Sequence, residues 1–287
     1  MAEAPPRSFT NPASGKVAES SYLNLEEAHA RATELFAQYE IKPEKFAGMR
    51  GYPDAEIRTD TEDVRRREKN FKYDIQSDFA DILEAIAFEH GELSEWFGPT
   101  SKVIKTSRYD DYFNRVDLVV ETEAADQEYS HLALGMDVTF GGDLHKKFAG
   151  IRAKIDQGRL GQVKYFLSDR PDKIFAGPLH NIPEVVVGVE IDRVRELALL
   201  WMNKKNKQLG EHPVQRMILR EIALQLKTFA AYARHIGKDD LAVILETELQ
   251  TVEALMKEKR GAGIEVVEQD KVFEEIKLNL AAFENPQ

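Results

Sequence analysis

Two aspartates interrupt apolar, strand-like segments, and they constrain this chain more than any other feature. Asp117 stands inside Arg115–Glu121 (RVDLVVE), where Val116, Leu118 and Val120 alternate with Asp117 and Val119. Asp137 stands inside His131–Phe140 (HLALGMDVTF), which is apolar nearly throughout, as a strand covered on both faces is. An unpartnered ionised carboxylate in such a place costs on the order of several kcal/mol. Neighbouring strands lie about 4.8 Å apart, so the two carboxylates can share one divalent cation. The structural alternative puts each aspartate at a strand end, hydrogen-bonded to nearby backbone amides. The residues alone leave both accounts open.

The surrounding pattern supplies an order of elements. Asp74–Phe97 carries Phe79, Ile82, Leu83, Ile86, Leu93 and Trp96 at the spacing of an amphipathic helix, ended by Gly98-Pro99. Glu84 falls beside Ala80, Ala87 and Phe88 on it and offers a third oxygen ligand. Val103–Lys105 is a short strand, followed by the two aspartate-bearing strands. After Gly141-Gly142, a helix runs from an Asp143 cap to Gln157, with Leu144, Phe148, Ile151 and Ile155 on one side. Val163–Leu167 and Val185–Ile191 are the fourth and fifth strands. Four helices follow, over Asp192–Asn206, Pro213–Ile236, Asp239–Lys259 and Val266–Phe283. Upstream, Leu23–Ile41 is a helix capped by Asn24, and Arg65, Arg66, Arg67, Lys69 and Lys72 read as a solvated basic helix face.

The domain plan is a flexible lead over 1–22, a helical segment over 23–73, an α/β core over 74–191 and a helical region over 192–287. Apolar faces in the last region would pack on the core or form a homodimer. The chain has no cysteine, which removes disulfides and thiol chemistry and fits a cytoplasmic location. No apolar run is long enough for a membrane span. The net charge of −11 argues against a simple nucleic-acid coat protein. Between Gly141 and Lys173, however, eight basic residues face four acidic ones, so a basic face is compatible with overall acidity. Walker, GxGxxG, GxSxG and HExxH signatures are missing from the sequence.

The αβββαβ order, with Asp117 on the second strand, Asp137 on the third and Glu84 on the first helix, resembles the PD-(D/E)xK nuclease superfamily. The resemblance covers about Asp74–Ser168. It implies a restriction-endonuclease-like core with a mixed sheet and hydrolysis of DNA or RNA with Mg²⁺ or Mn²⁺. Glu84, Asp117 and Asp137 would be the metal ligands, and nucleic acid the partner. The family's second motif reads acid-any-Lys, whereas this chain has Asp137-Val138-Thr139. In the family that lysine helps activate water and stabilise developing charge. Lys147 and Lys164 are the two local candidates to replace it. In Ser107-Arg108-Tyr109-Asp110-Asp111-Tyr112, Asp110 reads as part of a polar turn, and Asp111 as turn residue or metal ligand alike. A silent relative that binds nucleic acid or a protein partner is the alternative to a nuclease.

Overall fold

A computed structural model describes residues 23–70, 75–123, 129–137, 142–170, 173–264 and 270–284. Helix α1 (Leu25–Tyr39) starts where the Asn24 side chain accepts from the Glu27 amide, and it buries Ala28, Ala32 and Phe36 at four-residue spacing. A short 3₁₀ turn (Pro43–Phe46) leads to α2 (Asp54–Lys69), a polar helix that buries only Ile57 and Asp60. Helix α3 (Ile75–Leu93) is buried on most of its surface, including Glu84.

Strands β1 (Ser101–Lys105), β2 (Leu118–Glu123) and β3 (Tyr129–Asp137) form an antiparallel meander. Between β3 and its parallel neighbour lie α4 (Gly142–Asp156) and a hairpin of β4 (Gly161–Arg170) and β5 (Lys173–Ile182). Strand β6 (Glu184–Gly188) then pairs parallel to β3, giving the sheet order β1-β2-β3-β6. Parallel pairing needs such a crossover, because a tight turn reverses the chain. The molecule is therefore α/β with a mixed four-stranded sheet.

Pleating sends alternate side chains to two cores. Val103, Val120 and Leu132 are in mutual register and face the core built with α3. Ile104, Val119 and Ala133 face the other way, onto Val163, Phe166 and Leu179 of the hairpin and Tyr52. The first core also takes in α5 (Ile191–Met202), the short α6 (Asn206–Gly210), α7 (Val214–His235), α8 (Asp239–Gly261) and α9 (Lys271–Glu284). It runs without a break from Ala28 to Phe283, so the C-terminal helices share the core of the sheet. Among the described residues, no helix is long and apolar enough to cross a membrane.

Three features differ from the sequence-based expectations. The strand adjoining β3 is β6, whereas the expected fourth strand at 163–167 belongs to β4 in the separate hairpin. Its partner β5 contains Gly177 and Pro178, which read as breakers in a sequence. Pro178 has no N–H for the ladder, and β4 bulges opposite it between Val163 and Phe166. Asp117 precedes β2 instead of lying inside it, while Asp137 belongs to β3 and the expected continuation to Phe140 lies outside the described residues. Finally, α4 already includes Gly142 and Asp143, so Asp143 is not its cap.

The open edge of β6 is closed by a helix. Gln225 of α7 accepts from the Val186 amide (2.8 Å) and donates to the Val186 carbonyl (2.6 Å). One turn earlier, Glu221 Oε2 accepts from the Gly188 amide at 3.0 Å. Glu221 is fully buried and its Oε1 has no hydrogen-bond partner among the described residues. Burial, offset in part by the Gly188 amide, pushes its carboxyl well above the ordinary range, and the Asp270 charge adds to the rise. The fold thus favours the protonated form of Glu221, and its contribution to stability falls as pH rises past the ordinary value of 4.5. Glu221→Gln keeps an acceptor and removes that dependence. Urea unfolding at about pH 5 and about pH 8 will show the variant gaining on the wild type as pH rises. Glu221→Leu, which orphans the Gly188 amide, will cost about 2 kcal/mol.

Candidate functional site

The site lies where β1, β2 and β3 meet α3 and the turn between β1 and β2. That turn is a π-helical segment, Asp110–Asn114, closed by Arg115 in the left-handed region (φ 61°). A non-glycine residue there costs on the order of 1 kcal/mol and needs support from its surroundings. Support comes from the Arg115 and Val116 amides, which both donate to the Asp110 carbonyl. The chain then enters β2 with Asp117 at its mouth.

Asp117 is tied at both ends to β3. Its amide donates to the Leu134 carbonyl (2.9 Å), and its Oδ2 accepts from the Met136 amide (2.6 Å). The strand-end, amide-bonded account thus describes one oxygen of Asp117. Glu84 reaches the same place from α3. Between them stands Lys105, the last residue of β1 and fully buried. Its Nζ lies 2.9 Å from Glu84 Oε1 and 3.3 Å from Asp111 Oδ2, and it donates to the Asp117 carbonyl at 3.3 Å. Lys147, in the second turn of α4, donates to the Met136 carbonyl at 3.0 Å, and its charge acts on Asp117.

The electrostatics follow from crowding. Burial alone would pull the Lys105 ammonium down, but Glu84, Asp111 and Asp117 outweigh it and hold the lysine charged. Burial pushes Glu84 up to about 8; Lys105 opposes the shift, and the charges of Asp117 and Asp111 reinforce it. Burial and then the Asp111 charge push Asp117 up to about 7, against Lys147, Lys105 and the Met136 amide. Carboxyls that resist ionisation in each other's company ionise readily when a further cation joins them.

Glu84, Asp111, Asp117 and Lys147 are therefore brought together, and Lys105 joins them unforeseen. The sequence signal for Lys105 was slight: it sits two residues after Val103 and so shares its inward face. Lys164 belongs elsewhere. Its Nζ bonds Glu56 and Asp60 (both 2.5 Å), and none of its ion-pair partners is in the Glu84–Asp117 cluster. Asp110 is also separate. It is fully buried and accepts from Ser107 Oγ (2.7 Å), Asn114 Nδ2 (2.6 Å) and the Lys164 and Tyr165 amides (2.6 and 3.0 Å). Lys164 and Tyr165 are the residues that the bulge opposite Pro178 leaves without a cross-strand partner, so Asp110 ties the turn to the hairpin. This is the polar-turn role expected of it. His90, buried in α3, meets Ser94 Oγ at 2.7 Å and takes no part in the cluster.

Val138 and Thr139 lie outside the described residues, as does the side chain of Asp137. Among the described residues, no group of three acidic or histidine side chains is arranged to hold a metal ion. The donor chemistry nevertheless suits a hard cation: Glu84 Oε1 is a buried carboxylate oxygen that already faces a cation, the Lys105 ammonium at 2.9 Å. Comparison of the chain with protein-family models, with curated proteins and with solved structures finds no match.

The cluster's internal balance can be tested by stability. Lys105→Met strands the buried Glu84 without its counter-charge, leaves Asp111 only the more distant Arg108 (3.7 Å), and will lower unfolding free energy by about 3 kcal/mol. Adding Glu84→Gln to that variant will recover most of the loss, as urea titrations of the single and double variants will reveal.

Proposed function

We propose that this protein hydrolyses phosphodiester bonds in DNA or RNA with Mg²⁺ or Mn²⁺, using a restriction-endonuclease-like core of the PD-(D/E)xK kind. The observation that carries the reading is the meeting of Glu84, Asp117 and Lys147 at the end of an α3-β1-β2-β3-α4-β6 arrangement into which the β4-β5 hairpin is inserted. A last strand parallel to the third favours the same reading. Glu84, Asp117 and Asp137 would hold the cation, with Asp111 the next carboxylate in line. When bound, the cation supplies Lewis-acid polarisation of a phosphoryl oxygen.

The chain's own residues account for the rest. The Met136 carbonyl and the Asp117 charge orient the Lys147 ammonium, which takes the role of the missing motif lysine: it positions water and stabilises developing negative charge. Lys105 is a positioning residue that keeps Glu84 and Asp111 close despite their repulsion.

One observation favours the binding-only alternative. Lys105 already supplies a cation to Glu84 and Asp111, so the acids have a partner without a metal. The two readings separate in a cleavage assay on single- and double-stranded DNA and RNA with Mg²⁺, Mn²⁺ or EDTA. We expect metal-dependent cutting, reduced about 10³-fold by Asp117→Asn and about 10²-fold by Lys147→Ala. Lys164→Ala will stay within about threefold of the wild type, since its partners lie outside the cluster. Folded protein that cuts none of these substrates would move the assignment to the binding-only reading.

A further inference from the structure

The turn that delivers Asp111 also carries rings that the hydrolytic site does not use. Tyr112 follows Asp111 directly, and two guanidinium groups attend its ring: Arg67 from α2 at 5.5 Å and Arg108 at 6.0 Å. Phe113 is 44% exposed. Its ring lies 5.0 Å from that of Tyr109, and Tyr109 is braced edge-on by Tyr165 at 5.8 Å. Arg115, also exposed, closes the turn. An exposed ring, Phe113, and a half-buried one, Tyr112, thus adjoin the Asp111 carboxylate that touches Lys105 of the acid cluster.

We propose that the site takes single-stranded nucleic acid, whose unpaired bases stack on Tyr112 and Phe113 as the strand passes Asp111. The inference rests on the phosphodiesterase reading and names its substrate class. Base faces are available to a protein ring only when the bases are unpaired; a duplex presents phosphates and groove edges instead. Phosphate attraction at the turn is limited, since Arg108 is already engaged by Glu40 (3.4 Å) and Asp111 (3.7 Å) and Arg115 donates to the Lys146 carbonyl (3.4 Å). Binding driven by stacking meets these constraints, and its affinity depends less steeply on salt than binding driven by counterion release. Arg67 and Arg108 then serve as planar surfaces that extend the stack.

Fluorescence anisotropy with labelled oligonucleotides of about 16 nucleotides tests this on the full chain, in EDTA, with single-stranded DNA, single-stranded RNA and duplex DNA. Single strands should bind at least about tenfold more tightly than duplex, and Tyr112→Ala and Phe113→Ala should each weaken that binding about tenfold. Tyr112→Phe and Phe113→Trp, which keep a ring, should restore it and guard against misfolding. Equal affinity for duplex, or single-strand binding unchanged in both alanine variants, overturns the inference even where metal-dependent cutting persists. If nothing is cut but the alanine variants lose single-strand binding, the hydrolytic reading falls and the single-strand preference stands.

Discussion

The buried ammonium of Lys105 is the interaction on which the site depends. Three elements converge on it: α3 through the Glu84 carboxylate, the π-helical turn through that of Asp111, and the mouth of β2 through the Asp117 carbonyl, with the Asp117 charge acting on it as well. Without that charge the acids would repel one another at low dielectric, and α3 and the turn would have reason to move apart. The lysine has few other options. It is the last residue of a five-residue strand, and its ammonium lies over the Phe36 ring at 5.1 Å. Its position makes helix, strand and turn parts of one charged assembly.

Much of this was legible in the sequence where a periodicity or a misfit residue marked it. Helix α3 and the inward aim of Glu84 followed from apolar spacing, and α1 from its cap and its buried alanines. The two aspartates were legible as misfits. Their exact stations were not, because the chain ahead of Asp117 is taken up by a π turn and a left-handed Arg115 that no hydrophobic pattern announces. The same turn decides the fates of adjacent acids: Asp110 points into backbone amides and Asp111 toward Lys105. Strand β5 was hidden by its own Gly177 and Pro178, and with it the fact that β4 pairs outside the main sheet. Lys105 was hidden because one lysine in a short strand shows neither face nor partner until the register is known.

Two polar networks lie side by side and share almost nothing. One holds Glu84, Lys105, Asp111 and Asp117 against α3. The other ties Asp110 and Ser107 to the hairpin, and Lys164 and Tyr165 to Asp60 of α2. The second network has its partners satisfied at short distances and fixes the turn in place; the first is crowded with carboxyls that resist ionising together. Rigid support beside an electrostatically tense cluster is the arrangement that preorganisation requires, since the tension persists only if the scaffold cannot relax.

The helix that closes β6 has a consequence for how copies of this chain can meet. Gln225 and Glu221 occupy the backbone groups that another strand would otherwise seek at that edge. Main-chain templating, the route by which sheets zip into fibrils or swap strands, is therefore barred on that flank, and any contact made there must be read out by side chains.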